Sequence, residues 1–291
     1  IRDNAAAFAG AAQAGARIVV LSEEPLWDSL WSGGNFTERA RAMKTEAGEL
    51  PFTFLNHHNS AIFAFERIPY FLLTNEDFLT RYGLWIDRYA QMTPRALRDH
   101  WAAAAIPAAF YAEKRAGKEY SKVYEAEDVR GLSAFRTEVA EAVTLPGTVR
   151  VGQGWGAALR RQDLPDWHLD KLVTLNGRVR VASAYENTHE RAYISEKIFD
   201  AFVVGGVPTY HASPRHRVFD LVPQAAMLNA HGLTPQAAAA QIADFAPDSA
   251  FAEALLAAAA ALRTRFMDSH AVRRERGRVV DSVLAELDAL L

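Results

Sequence analysis

The 291-residue sequence contains no cysteine, which removes disulfides, thiolate metal sites and cysteine nucleophiles together and fits a reducing compartment. It also has no long hydrophobic run. The most apolar stretch, 250–262, is interrupted by Glu253 and falls short of the roughly 18 uncharged apolar residues of a membrane span. Charge of one sign does not dominate either: 32 Lys and Arg oppose 35 Asp and Glu, for a net charge of −3. No global positive field therefore favours nucleic acid. An Asp-x-Asp element, which would supply clustered oxygen ligands for a divalent ion, is missing too. The chain opens Ile1-Arg2-Asp3 without a signal-peptide pattern.

What is present is an ordinary globular composition, half hydrophobic, with 16 Phe, 9 Tyr and 6 Trp. At about 150 residues per domain, two domains or one large one are expected. Small residues over 5–14 read as a helix ended by Gly15, and 16–21 as a short strand. Strand candidates follow at 60–65 and 70–73, a helix at 95–104 and a strand at 106–111. The stretch 132–143 is helical, with Phe135, Val139 and Val143 on one face, and 148–151 is a strand running into Gly152-Gln153-Gly154-Trp155-Gly156. A strand at 179–185, a helix at 194–204 and a strand at 207–210 come next, and Ala- and Arg-rich helices fill 235–291. Alternation of this kind predicts an α/β fold with mostly parallel sheets.

The most informative segment joins Tyr185-Glu186-Asn187-Thr188, then Tyr193-Ile194-Ser195-Glu196-Lys197-Ile198, then Val207-Pro208-Thr209-Tyr210. Ser195 is placed to cap a helix that Gly205-Gly206 closes. Glu196 and Lys197 then fall at a helix start on the carboxyl edge of a sheet, where N–H groups, the dipole and an ammonium suit a phosphate. The alternative is an ordinary capped helix with a surface Glu and Lys.

In order and spacing this segment resembles the signature of the alpha-1,3/1,4-fucosyltransferase family, with Tyr for Phe at 185, Thr for Ser at 188 and Ser for Thr at 195. The resemblance extends upstream to the Gly turn Gly152…Gly154. It reaches the segment 130–135, where Arg130 stands for a phosphate-binding arginine and Arg136 is the fallback. It also reaches 17–25, where Glu23 takes the place of the catalytic base and Glu24 is the near alternative. It implies a GT-B architecture, two Rossmann-like domains with parallel sheets facing a cleft: an acceptor domain over 1–97, trimmed relative to the family, a donor domain over 98–275, and a C-terminal helix, 276–291, packing back on the first. The implied activity is inverting transfer of fucose from GDP-fucose to a hydroxyl of a glycan or glycoconjugate acceptor, without metal or other cofactor. Glu23 would accept the acceptor's proton. Arg130, Gly152, Gly154, Glu186, Asn187, Tyr193, Glu196 and Lys197 would hold the donor, with Lys197 and Arg130 at the diphosphate. The implied compartment is the cytoplasm.

Rival readings are of other classes. Gly152-Gln153-Gly154-Trp155-Gly156-Ala157 also fits a dinucleotide-binding turn, with Asp170 near the required offset. A protein that keeps the fold but only binds a nucleotide sugar or glycan is the other rival, and a GT-B transferase using a different nucleotide sugar is a third. Six Arg over 263–278 form either a solvated helix face or a surface against anionic lipid, peripheral to the inner face of a membrane. The pairs His57-His58 and His211…His216 complete no metal ligand set.

Overall fold

The computed structural model describes residues 4–46, 48–156 and 163–290. Contacts divide the chain into two units, 1–66 with 273–291, and 67–272.

The first unit starts with helix α1 (Ala5–Gln13), strand β1 (Val19–Leu21), the short helix α2 (Trp27–Trp31), and the strands β2 (Ala40–Thr45) and β3 (Gly48–Leu55). Its sheet has the order β1-β3-β2. β1 pairs with β3 in parallel, but β2 pairs with β3 antiparallel. The parallel sheet that the GT-B resemblance implies here is therefore corrected to a mixed one. The hairpin was hidden because β2, Ala-Arg-Ala-Met-Lys-Thr, has only one β-branched residue and alternates between exposed and half-buried positions. The strand expected at 60–65 is instead a 3₁₀ turn, Ala61–Phe63, capped by Ser60 Oγ accepting from the Ile62 N–H at 3.3 Å.

The second unit contains α3 (Glu76–Ala90), α4 (Pro94–Ala102), β4 (Ile106–Tyr111), β5 (Val123–Tyr124), β6 (Val129–Gly131), α5 (Ser133–Ala142) and β7 (Val149–Val151). After these come α6 (Trp167–Leu175), β8 (Val179–Ser183), β9 (Thr188–His189), α7 (Lys197–Val203), β10 (Val207–Tyr210), β11 (Leu228–Asn229), α8 (Pro235–Ala243) and α9 (Ser249–Met267). α10 (Ser269–Asp288) carries the chain into the first unit. The strand expected at 70–73 is a 3₁₀ turn following Pro69.

Five strands, β11-β10-β8-β4-β7, form an all-parallel sheet. In chain order the strands lie 5-4-3-1-2, so the order reverses between β4 and β8. In doubly wound α/β sheets such a reversal opens a crevice at the carboxyl ends of the strands. β5-β6-β9 form a small antiparallel sheet beside it.

The units divide at Glu66–Arg67 rather than near residue 97. The reason is that α3 and α4 pack within the second unit. Tyr82 stacks near Phe199 and Phe266, and the Trp101 indole donates to the Gly205 carbonyl at 2.9 Å. Gly205 ends α7 at φ 74°, and a Cβ there would fall 2.3 Å from the Tyr89 ring, so only glycine fits. The Arg-rich tail is partly committed to the fold: Arg263 pairs with Asp87, Arg265 donates to the Arg67 carbonyl, and Arg278 pairs with Glu275 and donates to the Ala61 carbonyl. No helix among the described residues is long and apolar enough to cross a membrane.

Candidate functional site

The loops leaving β4 and β8 emerge side by side at the reversal of strand order. Glu186, three residues beyond β8, is buried and organises the loop that follows it. Its Oε1 accepts from the Ser195 N–H at 2.8 Å and from the Tyr210 hydroxyl at 3.4 Å, and its Oε2 accepts from Ser195 Oγ at 2.6 Å. Lys197 Nζ lies 3.1 Å from the same carboxylate and 3.4 Å from Glu196. Glu186, Asn187, Ser195, Glu196 and Lys197 are thereby brought together.

The helix start differs from the expected one. α7 begins at Lys197, not Ile194, and Ser195 does not cap it. The Ser195 hydroxyl and amide are both spent on Glu186, so that amide is not free for a phosphate. The positive charge of the site comes from side chains instead.

Asn187 is tied on both sides. Its carbonyl accepts from the Leu132 N–H at 2.8 Å, and its Oδ1 accepts from Arg136 Nη1 at 2.5 Å. Arg136, in the first turn of α5, is buried, and its charge is felt at Lys197. Arg130 is 40 % exposed on β6 and faces Glu125 at 3.4 Å. Of the two arginines that the sequence proposes, the buried guanidinium beside Asn187 is thus Arg136.

Burial works against the Lys197 ammonium, but Glu186 and Glu196 outweigh it and its pKa stands above the ordinary lysine value. Burial would raise the Glu196 carboxyl, but Lys197, Lys171 and His168 bring it down to about 2. Behind it, Lys171 Nζ sits 2.7 Å from Asp200 Oδ2, and the Tyr82 hydroxyl donates to Asp200 Oδ1 at 2.6 Å. Burial raises the Asp200 pKa. Charges alternate along this chain: Glu186, Lys197, Glu196, Lys171, Asp200.

His168, Glu196 and Asp200 are the one group of metal-ligating side chains that converges among the described residues. Lys171 and Lys197 already supply the cations there, so the set suits internal ion pairs better than a divalent ion. Lys171, Asp200 and Tyr82 escaped the site reading because each reaches the site across a non-local contact. The helical position of Lys171, on the α6 face packed against the sheet, is the only signal that could have found it.

The remaining residues fall as follows. Tyr193 is buried, its N–H donating to the Glu190 carbonyl at 3.2 Å. Gly152 has φ 138°, and a Cβ there would lie 2.5 Å from the Ala112 carbonyl oxygen. A close approach of the β7 end to the β4 end therefore explains this glycine. Gly154, at φ 91°, lies against Lys114 in the same way. Ala157 of the rival dinucleotide turn lies outside the described residues, and Asp170 sits in the first turn of α6, not at a strand end.

Glu23, in the first unit, is exposed just past β1. Its carbonyl faces His57 Nε2 at 3.1 Å, and the His57 ring stacks on Phe63 with centroids 4.5 Å apart. Burial holds His57 near a pKa of about 3, so the ring is neutral and Nε2–H is the donor. Ser22 Oγ donates to Asp28 Oδ2 at 2.6 Å and accepts from the Glu24 N–H at 3.3 Å. The backbone around both acidic residues is thus fixed while the Glu23 side chain faces solvent.

Compared with known proteins, the chain matches no family model and no curated protein. What the site and fold define directly is an α/β unit with a five-strand parallel sheet of Rossmann-like kind and a largely buried, charge-alternating cluster at the carboxyl edge of that sheet.

Proposed function

We propose that the chain is an inverting glycosyltransferase of GT-B architecture that moves fucose from GDP-fucose to a hydroxyl of a glycan acceptor, as a relative of the alpha-1,3/1,4-fucosyltransferases. One observation carries this reading. The motif segments 185–188 and 193–198 fold at the carboxyl edge of the parallel sheet, beside the strand-order reversal, with 207–210 as the neighbouring strand β10, and they bring the half-buried Lys197 and the buried Arg136 together there.

In this reading the two cations face the diphosphate as it departs, the arginine fork in two-point contact and the ammonium as a point charge. Glu196, kept ionised by Lys197 and Lys171, accepts hydrogen bonds from ribose or sugar hydroxyls. The acceptor oxygen attacks the anomeric carbon, the bond from that carbon to the phosphate oxygen breaks, and the acceptor's proton passes to the Glu23 carboxylate. Charge stabilisation at the diphosphate is assigned to side chains, without a metal. The reading places the reaction in the cytoplasm, with the Arg-rich tail available to the inner face of a membrane.

The test is a thermal-shift panel of the purified chain with GDP, GDP-fucose, GDP-mannose, UDP-sugars, CMP-sugars and NAD, because a ligand that binds only the folded state raises its apparent stability. Stabilisation selective for GDP and GDP-fucose supports the reading. Selective stabilisation by another nucleotide sugar keeps the transferase and discards the fucose, and stabilisation by NAD alone overturns both. A donor held without turnover, in the presence of an acceptor panel, identifies a binding protein instead.

A further inference from the structure

Four of the nine histidines, spread over 189–231, meet in the second unit. His189 belongs to β9, His211 follows β10, His216 precedes the 3₁₀ turn Arg217–Asp220, and His231 follows β11. Ring centroids are 5.2 Å apart for His189 and His211, 5.1 Å for His189 and His216, 5.4 Å for His211 and His231, and 6.3 Å for His189 and His231. Their nitrogens do not converge as the ligands of one ion must.

The hydrogen bonds limit how many protons the cluster can take. His216 Nδ1 accepts from the Val218 N–H at 3.0 Å, so its single proton sits on Nε2 and a second one would break that cap. His189 has Nε2 3.3 Å from Asp128 Oδ1 and Nδ1 3.4 Å from the His211 carbonyl, so it can hold one extra proton between two acceptors. His211 Nδ1 is buried without a hydrogen-bond partner, and the groups around its ring are His189, His231, Arg130 and Phe135.

The carboxylate facing the cluster, Asp128, is shared with Ser213 Oγ at 2.7 Å and Arg215 at 3.6 Å. Tyr210 lays its ring edge-on to His216 at 5.6 Å and donates its hydroxyl to Glu186. Glu190, next in sequence to His189, is buried, and its Oε2 accepts from the Ala192 N–H at 2.8 Å. One added proton thus meets acceptors. A second meets imidazolium, Arg130 and Arg215.

We propose that His189, His211 and His216 form an acid-sensitive latch: while neutral they pack β9 against the segment that follows β10, and adding more than one proton opens that packing and loosens the loop 184–197 that carries Glu186 and Lys197. Burial supports this by pushing His189 down, His211 down to about 3 and His216 well below the ordinary histidine value of 6.5. The folded latch therefore refuses protons that the unfolded chain accepts, and it weakens as pH falls below that value. Glu190, raised by burial to about 7, acts in the opposite sense, becoming neutral in the fold as pH falls. The latch stands apart from the sugar-transfer reading, because it concerns the loop whatever ligand the loop holds.

The test is hydrogen exchange read by mass spectrometry on the full chain at about pH 7.5 and about pH 5.5, with rates corrected for the intrinsic pH dependence of exchange. The expected result is a roughly tenfold loss of protection in peptides covering 184–197 and 211–218, beyond any change in β4 and α4. His216→Asn keeps an oxygen for the Val218 N–H but cannot titrate, and His189→Gln removes the first proton's site. Either variant is expected to lessen the acid-induced loss. Equal protection of these segments at both pH values in the wild-type chain overturns the latch whether or not the variants fold, as does an undiminished loss in both folded variants.

Discussion

If Glu23 is the base of the proposed transfer, Glu23→Gln preserves shape and removes the proton acceptor, so GDP affinity should persist while turnover falls by roughly 10²- to 10⁴-fold. Calorimetric GDP titration beside a transfer assay on an identified acceptor checks this, and wild-type turnover would move the base to Glu24. For the proposed diphosphate contact the two arginines make different predictions. Arg136→Lys keeps charge but loses the planar fork that reaches Asn187, so GDP affinity should fall about tenfold. Arg130→Lys, on an exposed side chain paired to Glu125, should leave it unchanged. The reverse order in the titrations would return the phosphate to Arg130. Sequence alone could not choose between these residues, because the choice depends on β6 pairing with β9, a contact between segments nearly sixty positions apart that no local pattern encodes.

The helices and strands that pack through one continuous apolar face were legible: β4, β8, β10 and the C-terminal helices lie where periodicity put them. The β2–β3 hairpin and the true start of α7 were not, because polar edge positions decide the first and a buried carboxylate decides the second. That carboxylate fixes the element. Glu186 receives the Ser195 N–H, the Ser195 hydroxyl and the Lys197 ammonium. A Glu186→Gln variant turns an amide NH₂ toward one of these donors and leaves Lys197 with Glu196 as its one carboxylate, beside Ser195 Oγ at 2.9 Å. Unsatisfied buried groups of this kind cost about 1–3 kcal/mol, and a broken buried ion pair about 3–5 kcal/mol, so urea unfolding should show a loss of about 2–5 kcal/mol. An unchanged midpoint would mean that the 193–197 turn is held by Tyr193 and Ile194 packing rather than by Glu186.

For the whole molecule the dominant linkage is to acid, and its sign follows from which groups refuse or attract protons. In the first unit burial lowers His57 to about 3 and His58 to about 4; in the second it lowers His100, His189, His211 and His216. Each is neutral in the fold and ordinary, near 6.5, when unfolded. Below that value the unfolded state therefore binds more protons than the folded one, and stability falls with decreasing pH. Glu190, at about 7 in the fold, binds one proton that the unfolded chain releases above its ordinary value of 4.5, which offsets part of that difference. Each uncompensated proton contributes about 1.4 kcal/mol per pH unit once fully titrated. Against a total stability of about 5–15 kcal/mol, the fold should give way between about pH 6 and pH 4, while the ion-paired Glu196, down at about 2, is still charged. Urea midpoints at about pH 7.5, 6.5 and 5.5 should fall progressively, with the steeper step in the lower interval. Because both units carry buried neutral histidines, probes placed in each should record the fall. A midpoint constant across that range would require these rings to be protonated in the fold or to meet solvent, and the burial that defines both the His57 contact and the histidine cluster would be wrong.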